Sequence, residues 1–413
     1  MNRQVPFPCR SCGAAVTDTV LDLGEQPLAN TYRTAEELHL PEPRYPLRVA
    51  RCRDCSLVQL DQVVPPPVLF SKYAYFSSVS TSWVEHARVF AAGAIKRFGL
   101  TDQSLVLEAA SNDGYLLQHF IRAGIPARGV EPASNVAQEA IARGVPTDVA
   151  FFGLEYARHL VASRRRADLI VGNNVLAHVP ALNDFVGGLA AALEPGGTIS
   201  LEFPHLLRLV EQAAFDTIYH EHTTYLSIIA LEPLFDRHRL RLIDAEDLST
   251  HGGSLRVLAV HADDPRDRSP RLAEIAERER AAGLHSVEAH RRFGERVKLS
   301  LRSLRTLLDE ARRTGLGIAA YGAAAKGNTL LNASGATTRD IPYVVDRSPH
   351  KQGRYLPGSG IPIYPPEKLA ETKPRYVLVL PWNLLDEIRE QNSGIRRWGG
   401  RFVTAIPEVR VWD

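Results

Sequence analysis

All four cysteines of the chain fall within its first 55 residues, as Cys9-x-x-Cys12 and Cys52-x-x-Cys55. Two such knuckles supply four thiolates at the spacing a tetrahedral zinc ion takes, and residues 13–51 are long enough to loop back and close the site. A pair of disulfides would suit a short secreted chain, but no positively charged and then apolar leader is seen, and a redox motif would need only one cysteine pair. With four protein ligands the coordination shell is full, so the zinc expected on Cys9, Cys12, Cys52 and Cys55 is structural. The chemistry has to be sought elsewhere.

A chain of 413 residues exceeds what a single core organises and implies two or three domains. Lys and Arg number 49 against 47 Asp and Glu, too even a balance for a nucleic-acid footprint, and Arg164-Arg165-Arg166 reads as a solvated turn. No apolar run approaches the roughly 20 residues needed to cross a bilayer. These features predict a cytoplasmic protein, monomeric or weakly oligomeric, with neither a nucleic acid nor a membrane as partner.

Val63-Val64-Pro65-Pro66-Pro67 forces extended backbone and closes a zinc-binding module over residues 1–68. Residues 69–262 alternate strand with helix, the signature of a parallel sheet with crossover helices. Strands are expected at 104–109, 127–131, 168–172 and 197–202, a helical stretch across 204–235, and an antiparallel pair at 240–244 and 254–261. Asp263-Asp264-Pro265-Arg266-Asp267 reads as a linker, followed by one long charged helical region over 269–313. The third part, 263–413, resumes the rhythm with strands at 318–321, 343–346, 376–380 and 402–405. The fold class is therefore α/β, with a central Rossmann-like domain and a second Rossmann-like domain at the C-terminal side.

After the first expected strand stands Glu108-Ala109-Ala110-Ser111-Asn112-Asp113-Gly114, an acidic residue followed by the alternate positions where nucleotide-binding loops carry glycine. Ala110 and Asn112 occupy the first two of these positions and only Gly114 is glycine. Asn tolerates positive φ better than most residues, and Ala leaves room for a close ligand. A dinucleotide needs bare backbone against two phosphates, whereas S-adenosylmethionine has no phosphate and needs only a tight turn, so the loop favours S-adenosylmethionine and disfavours a nicotinamide oxidoreductase. Glu131 ends the next strand, roughly 20 residues after Glu108, where an acid that accepts from ribose hydroxyls belongs. Asn173 and Asn174 close a further strand at the carboxyl edge of the sheet, and Leu193-Glu194-Pro195-Gly196-Gly197 supplies a sharp helix-to-strand turn. The ordered set predicts a class I methyltransferase domain.

Along nearly its whole length the chain resembles the sugar C-methyltransferases that act on dTDP-linked 4-keto-deoxysugars in antibiotic biosynthesis. The resemblance is carried by the paired cysteines with Leu23-Gly24-Glu25-Gln26-Pro27-Leu28-Ala29-Asn30 between them, Tyr73-Ala74-Tyr75-Phe76-Ser77-Ser78 and Ser111-Asn112-Asp113-Gly114-Tyr115-Leu116. Further carriers are Asn173-Asn174-Val175-Leu176-Ala177-His178-Val179, Tyr219-His220-Glu221-His222, Tyr321-Gly322-Ala323-Ala324-Ala325-Lys326-Gly327-Asn328 and Lys351-Gln352-Gly353-Arg354-Tyr355-Leu356-Pro357-Gly358. It implies a zinc-binding module, an S-adenosylmethionine domain and a C-terminal domain that helps hold a nucleotide sugar. At the cofactor loop this chain departs from its relatives, which often carry glycine or isoleucine where Glu108-Ala109-Ala110 stands.

Methylating carbon requires a carbanion, and a carbon beside a ketone is acidic only when a base takes its proton while the enolate oxygen is stabilised. The resemblance implies His222 as the general base next to the 4-keto group; Glu221 would orient it or bind a sugar substituent, and Tyr219 would donate to the enolate. A His-x-His metal site is the weaker reading, since metal-binding histidines on a helix stand four apart. Tyr73 and Tyr75, two apart, share a face on extended backbone and either could reach substrate. In the C-terminal domain the small residues from Ala323 to Asn328 open a helix beside Lys326, and Lys326, Asn328, Arg347, Lys351 and Arg354 are the candidates for the pyrophosphate side of a dTDP-4-keto-deoxysugar. Carbon 3 is the expected position; carbon 5, or a non-catalytic nucleotide-sugar-binding protein, are the alternatives.

Overall fold

The computed structural model describes residues 6–70, 76–163 and 166–413. Its largest sheet has seven strands, in the spatial order Leu240–Leu248, Ser254–His261, Leu193–Pro204, Ala167–Asn173, Val106–Ala109, Ala127–Val130, Thr147–Asp148. The strands from Thr147–Asp148 to Leu193–Pro204 run parallel, and Ser254–His261 is antiparallel to both of its neighbours. Val106–Ala109 is buried at every position and apolar except at Glu108, as expected of a strand covered on both faces. From this strand the chain winds outward to 127–130 and 147–148 on one side and to 167–173 and 193–204 on the other, so the strand order reverses between Ala109 and Asn173. A crevice for a ligand opens at such a reversal.

The helix Thr81–Phe98 leads into this sheet, started by Ser80 Oγ accepting from the Trp83 N–H at 3.3 Å and stopped by Gly99 in the left-handed conformation. The charged stretch after residue 269 is two helices, Pro270–Ala281 and Val287–Thr314, in place of the single expected one. Ser286 caps the second and Gly315, at φ 69°, ends it. The first is tied to the seven-stranded sheet side by Glu279, whose carboxylate accepts from His205 Nε2 at 2.7 Å and from the Ile228 and Ile229 N–H groups that open helix Ile228–Arg237.

The second Rossmann-like sheet has the order Ile363–Tyr364, Val344–Val345, Ile318–Tyr321, Tyr376–Val379, Arg401–Thr404, Arg410–Trp412, parallel except for the last strand. The N-terminal part pairs Phe7–Pro8 with Ala15–Val16 around the first knuckle. Beyond it a four-stranded antiparallel sheet is built from Asp18–Pro27, Arg44–Arg51, Val58–Leu60 and, from far along the chain, Thr224–Tyr225. This last pairing overturns the helix expected across 204–235. α-Helices cover Leu206–Glu211 and Ile228–Arg237 with a single 3-10 turn at Phe215–Thr217, and Tyr219-His220-Glu221-His222 forms a turn between them. The backbone of Thr223 and Thr224 is taken up by Ala177, Leu60 and Gln59, and a helix could not make those bonds.

The N-terminal part is wedged between the other two. Cys9, Val16, Cys52 and Leu57 share a core with Leu107, Phe185 and Leu201, whereas Leu21, Leu47 and Val49 share another with Phe215, Phe293, Leu330 and Val403. None of the helices among the described residues is long and apolar enough to cross a membrane.

Candidate active site

The four cysteine sulfurs lie within 4.8 Å of one another, with Cys9 to Cys55 at 3.6 Å and Cys12 to Cys52 at 3.5 Å. Tetrahedral zinc with bonds of about 2.3 Å requires sulfur separations near 3.8 Å, and a disulfide about 2 Å, so the cluster fits zinc. Gln59 Nε2 donates to Cys9 Sγ at 3.2 Å, the kind of outer contact that fixes a metal ligand. Asn183 clasps the first knuckle, its amide donating to the Arg10 and Ser11 carbonyls, while His238 Nε2 donates to Asn183 Oδ1. The cysteine cluster is thus fastened to the part of the chain that carries the seven-stranded sheet.

The loop after Val106–Ala109 has positive φ at Ala110 (56°), Asn112 (49°) and Gly114 (76°), the alternate positions marked in the sequence. Gly114 is required there, because a Cβ would stand 2.8 Å from Val145 Cγ2. Ser111 lies over Gly129, where any side chain would collide with its hydroxyl. Glu131 accepts from the Asn112 N–H at 3.0 Å through one oxygen and from the Ala133 N–H at 2.9 Å through the other, and burial raises its pKa. Burial, with Glu131 and Asp113 close by, pushes the Glu108 carboxyl well above the usual range. Asn173 Nδ2 donates to the Tyr115 hydroxyl at 3.2 Å, and its buried Oδ1 has no partner among the described residues. Asn174, at φ 55°, bonds to the His251 ring at 3.2 Å. A tight left-handed turn, a carboxylate on the adjacent strand and an unclaimed amide oxygen opposite form a cradle that fits a nucleoside with no phosphate.

The Tyr219–His222 turn holds the residues expected to act on the acceptor. His222 Nδ1 lies 2.7 Å from the Thr217 carbonyl, which can only accept, so Nδ1 carries the hydrogen and Nε2 of the neutral ring has a lone pair. The Tyr219 hydroxyl donates to that lone pair at 2.8 Å, and the two rings lie 4.1 Å apart. His178 packs edge-on against His222 at 4.8 Å. Burial, then the charges of His178, Lys326 and His251, hold His222 well below its ordinary pKa, so it is a neutral base near pH 7. Burial holds His178 down to about 4. His220 faces away, donating to the Tyr45 carbonyl at 3.2 Å, so the two histidines of the run do not converge on one ion.

Glu221 accepts from the Asn30 side-chain amide at 2.6 Å, and close by the Tyr32 hydroxyl donates to the Ala323 carbonyl at 2.6 Å. Lys351 Nζ donates to the same carbonyl at 2.8 Å and lies 5.3 Å from the Tyr32 ring centre. Asn328 donates to the Ala29 carbonyl at 2.6 Å. Lys326 Nζ donates to Asn383 at 2.8 Å and lies over the Trp382 ring, and burial lowers its pKa against the opposing pull of Asp216. Lys326, Asn328 and Lys351 thus join Glu221 and His222 where the three parts of the chain meet. Arg347 and Arg354 are exposed, and Arg347 bonds to Gln391. Tyr73 and Tyr75 lie outside the described residues; just beyond them, the Ser77 N–H donates to Asn112 Oδ1 at 2.8 Å and Ser78 donates to Asp113. Sequence reasoning assigned no role to Asn30, Tyr32, His178, Asp216 or Trp382. Only Asn30 and His178 had a signal, as members of the runs that carry the resemblance.

Three family models cover the chain in succession: a zinc binding domain at residues 9–70, a methyltransferase domain at 83–245 and a C-methyltransferase C-terminal domain at 249–407. The protein is an S-adenosylmethionine-dependent methyltransferase of class I fold that carries a structural zinc. The C-methyltransferase NovU of Streptomyces niveus is 38% identical over 403 residues, spanning 98% of this chain and 96% of NovU, and the chain belongs to this family of C-methyltransferases. Among solved structures, magnesium protoporphyrin IX methyltransferase of Synechocystis PCC 6803 with bound SAM is 14% identical over 43% of this chain and 79% of its own, with a TM-score of 0.33. The CcbJ methyltransferase of Streptomyces caelestis is 13% identical over 43% and 89%, with a TM-score of 0.34. Overlap that low adds nothing to the assignment.

Proposed function

We propose that the methyl acceptor is carbon 3 of a dTDP-4-keto-deoxysugar and that the reaction runs through an enolate. The observation that carries this reading is the neutral His222 imidazole, with Nδ1–H committed to the Thr217 carbonyl and the Nε2 lone pair facing the Tyr219 hydroxyl. Nε2 takes the proton from the carbon beside the ketone, and the Tyr219 hydroxyl, released from Nε2, donates to the enolate oxygen. Such a base supplies about 10² to 10⁴ in rate and one oxyanion donor roughly 10² to 10³. Glu221, held by Asn30, accepts from a sugar substituent.

Glu108, Ala110, Ser111, Asn112, Gly114, Glu131, Asn173 and Asn174 are the residues that would hold S-adenosylmethionine, which supplies an electrophilic methyl group to the enolate carbon. In this division of labour residues 1–68 hold the zinc, 69–262 bind the cofactor, and 263–413 help bind the nucleotide sugar through Lys326, Asn328, Arg347, Lys351 and Arg354. Tyr73 or Tyr75 is a further candidate for contacting the sugar.

The test uses a panel of dTDP-4-keto-deoxysugars in deuterium oxide with S-adenosylhomocysteine in place of the methyl donor. Deuterium should enter at carbon 3 with wild-type protein and not with His222→Asn, and labelled donor should place its methyl on carbon 3. Exchange at full rate in the variant would remove His222 as the base, and label on carbon 5 or on oxygen would overturn the acceptor.

A further inference from the structure

The turn that presents the Thr217 carbonyl to His222 is gripped from outside its own domain. Phe215–Thr217 is one turn of 3-10 helix, fully or almost fully buried, and Asp216 at its centre has no exposed surface. The indole N–H of Trp382 donates to Asp216 Oδ2 at 2.8 Å. Lys326 lies across the same indole, 5.3 Å from the ring centre, with its ammonium on Asn383. Thr329, one helical turn beyond Lys326, donates to the Ile218 carbonyl at 3.0 Å. Trp382, Lys326 and Thr329 all belong to the C-terminal domain, whereas the histidine they act on belongs to the methyltransferase domain.

We infer that Asp216 and Lys326, held on two sides of the Trp382 indole, are a positioning pair for His222: they fix the carbonyl that selects its tautomer and set the field in which Nε2 receives a proton. The inference rests on His222 being the base proposed above. The groups facing His222 are His178 from the turn 176–178, Tyr219 from its own turn, His251 from the turn 250–252 and Lys326 from helix Ala325–Ala333. Of these, Lys326 alone has a permanent charge with a carboxylate set against it. Asp216 is pushed up to about 6 by burial, against the pull of Lys326 and the Trp382 bond, so the pair has little energy to spare and depends on both members. Docking of the C-terminal domain thereby determines how basic the catalytic imidazole is.

The pair makes opposite demands on two variants. Lys326→Met removes the cation and should raise the His222 pKa; Asp216→Asn keeps an acceptor for Trp382 but leaves the cation uncompensated and should lower it, each by roughly half a unit to one unit. The measurement is an NMR titration of the full chain with ring-labelled histidine, the His222 signal being assigned by its loss in His222→Asn. Wild type should show hydrogen on Nδ1. Trp382→Phe keeps the ring under Lys326 and removes only the indole N–H, so it should weaken that tautomer preference even if one charge variant fails to fold. Shifts in the same direction, or none, together with an unchanged tautomer in Trp382→Phe, would overturn the pair. No sugar is present in this titration, so its failure leaves the acceptor assignment standing, and failure of the acceptor assignment leaves the titration readable.

Discussion

The side-chain amide of Asn30 donates to Glu221 Oε1 at 2.6 Å, and this contact ties the cysteine-bearing part of the chain to the Tyr219–His222 turn. Asn30 lies just after strand Asp18–Pro27, and its neighbours Ala29 and Tyr32 bond to Asn328 and to the Ala323 carbonyl, so all three parts of the chain close on one spot. On the proposed reading the module is a wall of the site as well as a folding aid.

Asn30→Ala should therefore lower kcat/KM for the sugar by about 10- to 100-fold, since a hydrogen bond to a charged group is worth about 1.5–3 kcal/mol. S-adenosylmethionine affinity should not change, because the Asn30 side chain bonds to Glu221 and Tyr32 and to none of the residues proposed to hold the cofactor. Separate titrations of donor and acceptor check this, and equal losses for both would show that the effect spreads through the fold.

Cys52→Ser, or removal of zinc by a chelator, should lose the metal, lower the melting temperature and raise KM for the sugar before it affects cofactor binding. The knuckles close the sheet that carries Asn30, and binding energy in such sites is folding energy. Metal analysis with thermal unfolding tests this, and full stability without zinc would contradict a structural site.

Gly114→Ala should weaken cofactor binding and destabilise the protein by about 1–2 kcal/mol. Positive φ costs a side chain about that much, and here the added Cβ also presses on Val145. Calorimetric titration with S-adenosylhomocysteine and thermal melts would read the two effects, and wild-type affinity would mean that the loop relaxes freely.

The turn after strand Val106–Ala109 was legible because its demands are local. Alternate positive φ at 110, 112 and 114 follows from a strand that must turn at once into a helix, and Asn and Gly are the residues that do so cheaply. The four cysteines were legible for the same reason, ligand spacing being a short-range property. Tyr219 to His222 were identified as a chemical group but expected on a helix. Apolar residues recur through 204–235 at helical intervals, yet Thr224–Tyr225 pairs with Val58 and Gln59, and that long-range bonding overrides local propensity. Asp216 and Trp382 gave no sequence signal at all, since an acid and an aromatic far apart in the chain look like any surface charge and any core ring until the fold joins them.

The pH dependence of turnover follows from the state of His222. A base works only while its lone pair is free, and an ordinary imidazole, with a pKa near 6.5, would be half lost at pH 6.5. Burial and the neighbouring charges of His178, Lys326 and His251 lower the His222 value, so the neutral form persists to more acid pH and the acid limb of kcat should fall below 6.5. Lys326→Met removes the opposing charge that is permanent in this range, and its limb should move to higher pH than wild type whatever happens to the maximum rate. Asp216, pushed up to about 6, titrates in the same window. A limb that vanishes in Asp216→Asn would belong to that carboxyl, whereas one that persists and moves to lower pH belongs to the imidazole. Profiles of the three proteins at saturating donor and acceptor separate the cases, and a wild-type limb at or above 6.5 would mean that the base is some group other than a buried, neutral His222.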